Sequence, residues 1–166
     1  IKGASERLAV LVEDLLNVSR IEQGRMSITM KEMDISIVIK EIVEELRVQA
    51  DQKKLKLEYK PYTDELPIVA IDPDRLKQIL INLIGNALKY TERGGVEVIV
   101  EEKDSCKFLQ IRIKDTGIGM SSKDRERLFH KFYRVQNEKT ADITGTGLGL
   151  WITKKLVELM KGDIAV

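Results

Sequence analysis

The segment from Asp72 to Tyr90 constrains this chain most, because its start, its faces and its stop are all marked in the sequence. Asp72 can accept from the unpaired amides of a first helical turn. Pro73 at the first helical position gives up an N–H that the helix does not use. At about 100° per residue, Leu76, Ile79, Leu80, Leu83, Ile84 and Ala87 share one apolar arc. Arg75, Gln78, Asn82, Asn86 and Lys89 fall within about 80° of one another on another side. A solvent-facing stripe favours Glu and Lys, whereas asparagine is a poor helix former. Amide oxygens can ligate Mg2+, and amide and ammonium groups can hold phosphate oxygens. Taken alone, the helix is also read as a polar face that tolerates two asparagines.

Around this helix the pattern mixes strands and helices. Leu8, Leu11, Val12, Leu15, Val18 and Ile21 predict an amphipathic helix over 3–23, stopped by Gly24. Its nearly heptad seam suits either an ordinary core-facing helix or one that packs in a bundle or dimer. Alternation predicts strands over 26–31, 55–59, 68–71, 96–102 and 108–114, the last two adjacent and antiparallel, and the start of a strand at 164–166. Asp34 caps a helix with Val38, Ile39, Ile42, Val43 and Leu46 on one face. Ser121 and Asp124 form a capping box for a helix to about Phe132, residues 134–146 read as a mobile loop, and a last helix runs from about Leu148 to Lys161. The order predicts a two-layer α/β sandwich with a mixed sheet, not a doubly wound fold.

Two glycine motifs carry the chemistry. Asp115, Gly117 and Gly119 lie in DTGIGM after a strand, where a carboxylate can accept from an exocyclic amine and glycines let backbone pass close to a flat ligand. A plain turn explains that motif equally. GTGLGL at 145–150 opens a helix, so its amides and the helix dipole suit phosphate. It is neither a P-loop nor the dinucleotide fingerprint, and the HRD and DFG motifs of protein kinases are absent.

With 166 residues, 43% hydrophobic and 33% charged, the composition fits a soluble globular domain with a short appendage. A net charge of +1 argues against a nucleic-acid footprint. The single cysteine, Cys106, excludes an internal disulfide framework and reads as a surface thiol. No apolar run reaches the length of a membrane span, and no signal-peptide pattern opens the sequence.

In order, the chain reads NLIGNALKYT (82–91), DTGIGM (115–120), LFHKFYR (128–134) and GTGLGL (145–150). These resemble the N, G1, F and G2 boxes of sensor histidine kinases, within the Bergerat-fold superfamily that also holds gyrase, heat-shock and mismatch-repair ATPases. LLNVSRIEQGR (15–25) is similar to the end of the second dimerisation helix. The resemblance implies a Bergerat fold: a mixed, mostly antiparallel sheet with about three helices on one face, preceded by an N-terminal helix. Residues 1–24 would end the dimerisation helix, and 25–166 would be the ATP-binding catalytic domain without its last hairpin.

The roles it implies are these. Asn86 ligates Mg2+. Asn82 and Lys89 contact the phosphates of ATP, and Tyr90 lies against the nucleoside. Asp115 bonds the adenine amino group, with Gly117 and Gly119 beneath the ring. Arg134 reaches the terminal phosphates, and Gly145, Thr146, Gly147, Leu148 and Gly149 cradle them. Phe129 and Phe132 pack the base of a lid over 134–146, where plain core packing is the simpler expectation. Asn82, Lys89 and Arg134 would be the catalytic set. Hydrolysing members resemble ExxxN at the N box; here Asn82 stands in the Glu position, and an amide cannot act as a general base. Transfer to a histidine on a dimerisation domain is therefore favoured over hydrolysis. The only histidine, His130, lies in the F box and reads as an exposed helix residue. The resemblance further implies a homodimeric parent, a response-regulator receiver domain as partner, and a cytoplasmic location, with any inner-membrane anchor outside this chain. A hydrolysing Bergerat ATPase and a nucleotide-sensing module without transferase activity remain the alternatives.

Overall fold

The structure, a computed structural model, describes residues 2–103, 108–135, 140 and 145–166. Among them the elements run α1 (Lys2–Glu22), β1 (Lys31–Met33), α2 (Ile35–Gln52), β2 (Lys56–Pro61), β3 (Val69–Ile71), α3 (Pro73–Tyr90), β4 (Gly95–Lys103), β5 (Phe108–Asp115), α4 (Ser122–Arg127) and α5 (Gly149–Leu159). They fall into two compact units. Residues 29–119 form a sheet unit; residues 1–28 with 120–166 form a terminal unit. Cys106 lies outside the described residues, as does most of the loop expected to act as a lid.

The sheet unit is α/β with mixed pairing, as the resemblance implied. Its three-stranded sheet has the order β2-β4-β5, with β2 parallel and β5 antiparallel to β4; β1 and β3 form an antiparallel pair. Strand alternation decides what each face does. Val96, Val98 and Val100 are fully buried, while Glu97 and Glu101 between them form ion pairs with Lys60 and Arg112. α2 and α3 pack on each other and against the strands. Ile35, Ile39 and Ile42 of α2 and Leu80, Ile84 and Leu88 of α3 complete one core with the valines. Each such side chain contributes roughly 1.5–3 kcal/mol by leaving water. These are two of the roughly three helices expected; α5 belongs to the terminal unit.

The caps explain where α2 and α3 begin and end. Asp34 accepts from the Ser36 amide at 2.8 Å, and Asp72 accepts from the Asp74 and Arg75 amides at 3.0 and 3.1 Å. At the other end of α2, the Leu55 amide reaches the Ala50 carbonyl and the Lys54 amide reaches that of Asp51, both at 2.9 Å. This is a Schellman closure with Lys54 at φ +57°, sealed by the burial of Ala50 and Leu55.

Five expectations need correction. No strand spans 26–31; β1 begins at Lys31, because the Thr29 amide bonds to the Asp72 carboxylate at 2.7 Å instead of a ladder. The capping box at Ser121 and Asp124 is present, but α4 stops at Arg127, not near Phe132. Phe132 sits at φ +59°, and Tyr133 folds back to donate to Asp124 at 2.6 Å, so the chain turns there. His130 is exposed as expected, but lies in that turn and not in a helix. Residues 163–166 join no ladder. On α3, Leu83 is only half-buried, and Leu88 takes the core position instead.

In the terminal unit, Gly24 at φ +64° ends α1 as its sequence marked. α1 and α5 are in contact, and Val18, Leu148, Ile152 and Leu156 are buried. Leu8, Val12 and Leu15 of the α1 seam are exposed. Among the described residues, no helix is long and apolar enough to cross a membrane.

Candidate functional site

The polar arc of α3 is accessible. Asn82, Asn86, Lys89 and Tyr90 are all half-exposed, with Asn86 about one turn beyond Asn82 and the adjacent Lys89 and Tyr90 about one further turn on. The Asn86 amide nitrogen points to the Asn82 side-chain oxygen at 3.5 Å, the outer limit of a hydrogen bond. Among the described residues, the Asn86 side-chain oxygen accepts nothing, so it is a neutral hard donor open to a cation. The Lys89 ammonium lies 5.5 Å from the centre of the Tyr90 ring. A Cβ built on Gly85, at the border of this arc, would meet nothing within 4 Å.

The end of α3 is tied to the Asp115 turn. Helices leave their last four carbonyls without internal partners. Here Ala87 receives the Thr91 hydroxyl at 2.7 Å, Leu88 and Lys89 receive the Lys53 ammonium at 2.5 and 3.1 Å, and Tyr90 receives the Ile118 amide at 3.2 Å. The last bond requires close approach. A Cβ on Gly117 would lie 2.6 Å from the Tyr90 carbonyl oxygen, so only glycine fits. The Gly117 amide donates to one Asp115 carboxylate oxygen at 2.8 Å, and Asp115 itself is exposed. Gly119 is at φ +66°, and a Cβ there would face open space. The Thr116 hydroxyl, a residue with no role in the motif reading, donates to the Arg93 carbonyl at 2.8 Å and accepts from the Gly95 amide at 3.0 Å, closing the turn into β4.

The terminal unit holds the other candidates. Gly147 is at φ +73°, and a Cβ would lie 2.8–2.9 Å from the Phe132 backbone. Thr146 donates to Asp14 of α1 at 2.6 Å and accepts from the Leu148 amide at 3.3 Å. α5 starts at Gly149, with Leu148 buried before it and no side-chain cap on its first amides. Those amides keep the anion-binding character of an open helix start. Arg134 is half-buried, next to the Tyr133 that α4 anchors. Phe129 is half-buried, with the Lys154 ammonium 5.4 Å from its ring centre. Phe132, expected in a packed base, is 64% exposed: its left-handed backbone serves the contact with Gly147 and turns the ring outward.

Two carboxylates are shifted by their surroundings. Burial pushes Asp72 up, but the Thr29, Arg75 and Asp74 amides outweigh it and leave its carboxyl below the usual range. Hydrogen bonds from Ser121 and Tyr133 hold Asp124 low as well. Both are structural: one fixes the start of α3, the other folds the LFHKFYR turn onto α4.

The sheet unit thus joins Asn82, Asn86, Lys89 and Tyr90 to the turn of Asp115, Gly117 and Gly119 by a direct bond. The terminal unit gathers Arg134, Gly145, Thr146, Gly147, Leu148 and Gly149 on the segments that flank and open α5. Sequence reading missed Lys53, Thr91 and Thr116. Thr91, at the end of the N box, follows a helix stop and could have been read as a closing hydroxyl; Lys53 carried no such signal.

Residues 71–166 match the family described as histidine kinase-, DNA gyrase B-, and HSP90-like ATPase. The signal transduction histidine-protein kinase BarA of Escherichia coli (strain K12) is 34% identical over 168 residues, covering 99% of this chain and 18% of that protein. The crystal structure of full-length ShkA in complex with AMPPNP superposes with a TM-score of 0.84 at 28% identity, over 98% of this chain and 33% of that one. Histidine kinase ThkA, in complex with response regulator protein TrrA, shares the fold with a TM-score of 0.73 at 21% identity, over 97% of this chain and 43% of that one. The chain spans less than a fifth of the length of curated relatives such as BarA and the sensor histidine kinase GacS of Pseudomonas protegens. On the matched boxes and on this fold, the chain belongs to the histidine kinase-, DNA gyrase B-, and HSP90-like ATPase family and is homologous to the catalytic domains of histidine kinases.

Proposed function

We propose that this chain binds Mg-ATP and donates its γ-phosphoryl group to a histidine on the dimerisation domain of a two-component sensor kinase. The observation that carries this reading is the bonded pair of α3 and the Asp115 turn: amide, ammonium and carboxylate groups are presented together, with no carboxylate at position 82.

Asp115 keeps one carboxylate oxygen for the adenine amino group while the Gly117 amide holds the other. Gly117 and Gly119 pass beneath the ring, and Tyr90 lies against the nucleoside. Asn82, Lys89 and Arg134 contact the phosphates, with Gly145, Thr146, Gly147, Leu148 and Gly149 offering backbone at the open start of α5. Mg2+ fits the donor set in a limited way. Among the described residues no group of three His, Cys, Asp or Glu could hold a metal, but the Asn86 side-chain oxygen is an available ligand. A single protein oxygen beside phosphates and water is the usual setting for this ion, whose charge would offset that of the phosphates.

The chain's own groups then act by positioning and charge neutralisation of an in-line transfer. A histidine nitrogen bonds to the γ-phosphorus, the bond from phosphorus to the β,γ-bridging oxygen breaks, and ADP leaves; the ring proton departs to solvent. Asn82 cannot take a proton from water, so hydrolysis lacks its general base. Residues 1–24 are assigned to the end of the second dimerisation helix, in keeping with the exposed Leu8, Val12 and Leu15, and residues 25–166 to the catalytic domain. The parent is assigned as a homodimer that passes the phosphoryl group on to a receiver domain.

The test mixes this chain, γ-labelled ATP and a separate histidine-bearing dimerisation domain. Acid-labile label on the partner, with little phosphate released to solution, is expected. Brisk steady-state phosphate release by the chain alone would instead favour a hydrolysing ATPase.

A further inference from the structure

We propose that Lys53 is a positioning residue of the nucleotide site, acting through the last turn of α3. The inference rests on the nucleotide reading above and adds a residue that none of the boxes contains. Lys53 lies in the C-cap of α2, 36 positions before Lys89. Its ammonium has three protons, and each has an acceptor: the carbonyls of Leu88 at 2.5 Å, Lys89 at 3.1 Å and Thr91 at 2.9 Å. These carbonyls lie on either side of the α-carbons that carry the Lys89 and Tyr90 side chains. The carbonyl between them, that of Tyr90, is the one that holds the Ile118 amide of the glycine turn. One cation therefore closes the helix end on both sides of the bond that ties α3 to Asp115.

The anchor is itself fixed. The Schellman closure at Lys54 and the buried Leu55 set the direction in which Lys53 leaves α2. A cation at a helix C-terminus also meets the negative end of the dipole, so it is in its favoured place. Without it, three carbonyls lose their donor and the last turn is free to fray. Lys89, Tyr90 and the Ile118 amide then lose their common reference.

A merely structural lysine would give the same loss of stability without touching the ligand. The experiment separates the two. Lys53→Met keeps the aliphatic stem and removes the donors, Lys53→Arg keeps a donor cation, and Ile39→Val in the buried face of α2 supplies a stability loss unrelated to the helix end. Affinity for Mg-ATP is measured by calorimetry at a temperature where all four proteins are folded by circular dichroism. Hydrogen exchange of the Ile118 amide is measured without nucleotide.

Lys53→Met is expected to weaken ATP binding about fivefold and to speed Ile118 exchange by a similar factor. Lys53→Arg is expected to recover most of both, and Ile39→Val to change neither. Wild-type affinity and exchange in Lys53→Met, no recovery in Lys53→Arg, or an equal loss in Ile39→Val would each overturn the assignment. If the wild-type chain binds no ATP, the nucleotide reading fails by itself. The exchange arm then still reports whether Lys53 holds the turn.

Discussion

Gly85 shows how a single residue can serve a ligand at the expense of the fold. It lies inside α3, where glycine costs about 1 kcal/mol relative to alanine, and among the described residues nothing occupies the space a Cβ would take. Gly85→Ala is therefore expected to raise the stability of the chain by up to about 1 kcal/mol in urea denaturation. If the space beside the Asn82 and Lys89 arc admits phosphates, the same variant binds ATP less well. A variant that is more stable and binds ATP unchanged would remove Gly85 from the site. Asp72 is the opposite case, a residue that serves the fold alone. Losing its cap is expected to cost roughly 1–2 kcal/mol. Its folded carboxyl is held low, so the stability it gives is present at neutral pH and is lost as pH falls below about 4 and through the folded value. Asp72→Asn, which retains some capping capacity, should trail the wild type at pH 6 and approach it near pH 3. A constant gap across that range would contradict this account.

At the scale of elements, legibility followed how local the signals are. The bounds of α3 could be read because Asp72, Pro73 and the apolar repeat lie within the helix itself. β4 and β5 could be read because their alternation is long and their pairing partners are neighbours in sequence. The failures are cases where a distant group decides. The Thr29 amide leaves the ladder for a carboxylate 43 residues away, Tyr133 turns the chain back onto α4, and Lys53 closes a helix that starts 20 residues later. No periodicity encodes such contacts. Lys54 illustrates a cost that sequence also hid: an L-residue in the left-handed conformation at the close of α2. Lys54→Gly is expected to stabilise the chain by about 1 kcal/mol, because the left-handed region is free of strain for glycine. No rise in thermal midpoint would mean that the Lys54 stem makes good that strain by packing.

For the molecule as a whole, the site residues were legible as motifs but their supports were not. The boxes named Asn82, Asn86, Lys89, Asp115 and the glycines. What holds them is carried by Thr91, Thr116 and Lys53 in the sheet unit, and by Asp14 and the Phe132 backbone in the terminal unit. The proposal that α3 and the Asp115 turn serve one nucleotide is the central claim. Backbone amide shifts during a Mg-ATP titration test it most directly. Residues 82–90 and 115–119 are predicted to shift together along a single saturation curve. Saturating shifts confined to one of these two segments, with the other silent, would contradict it.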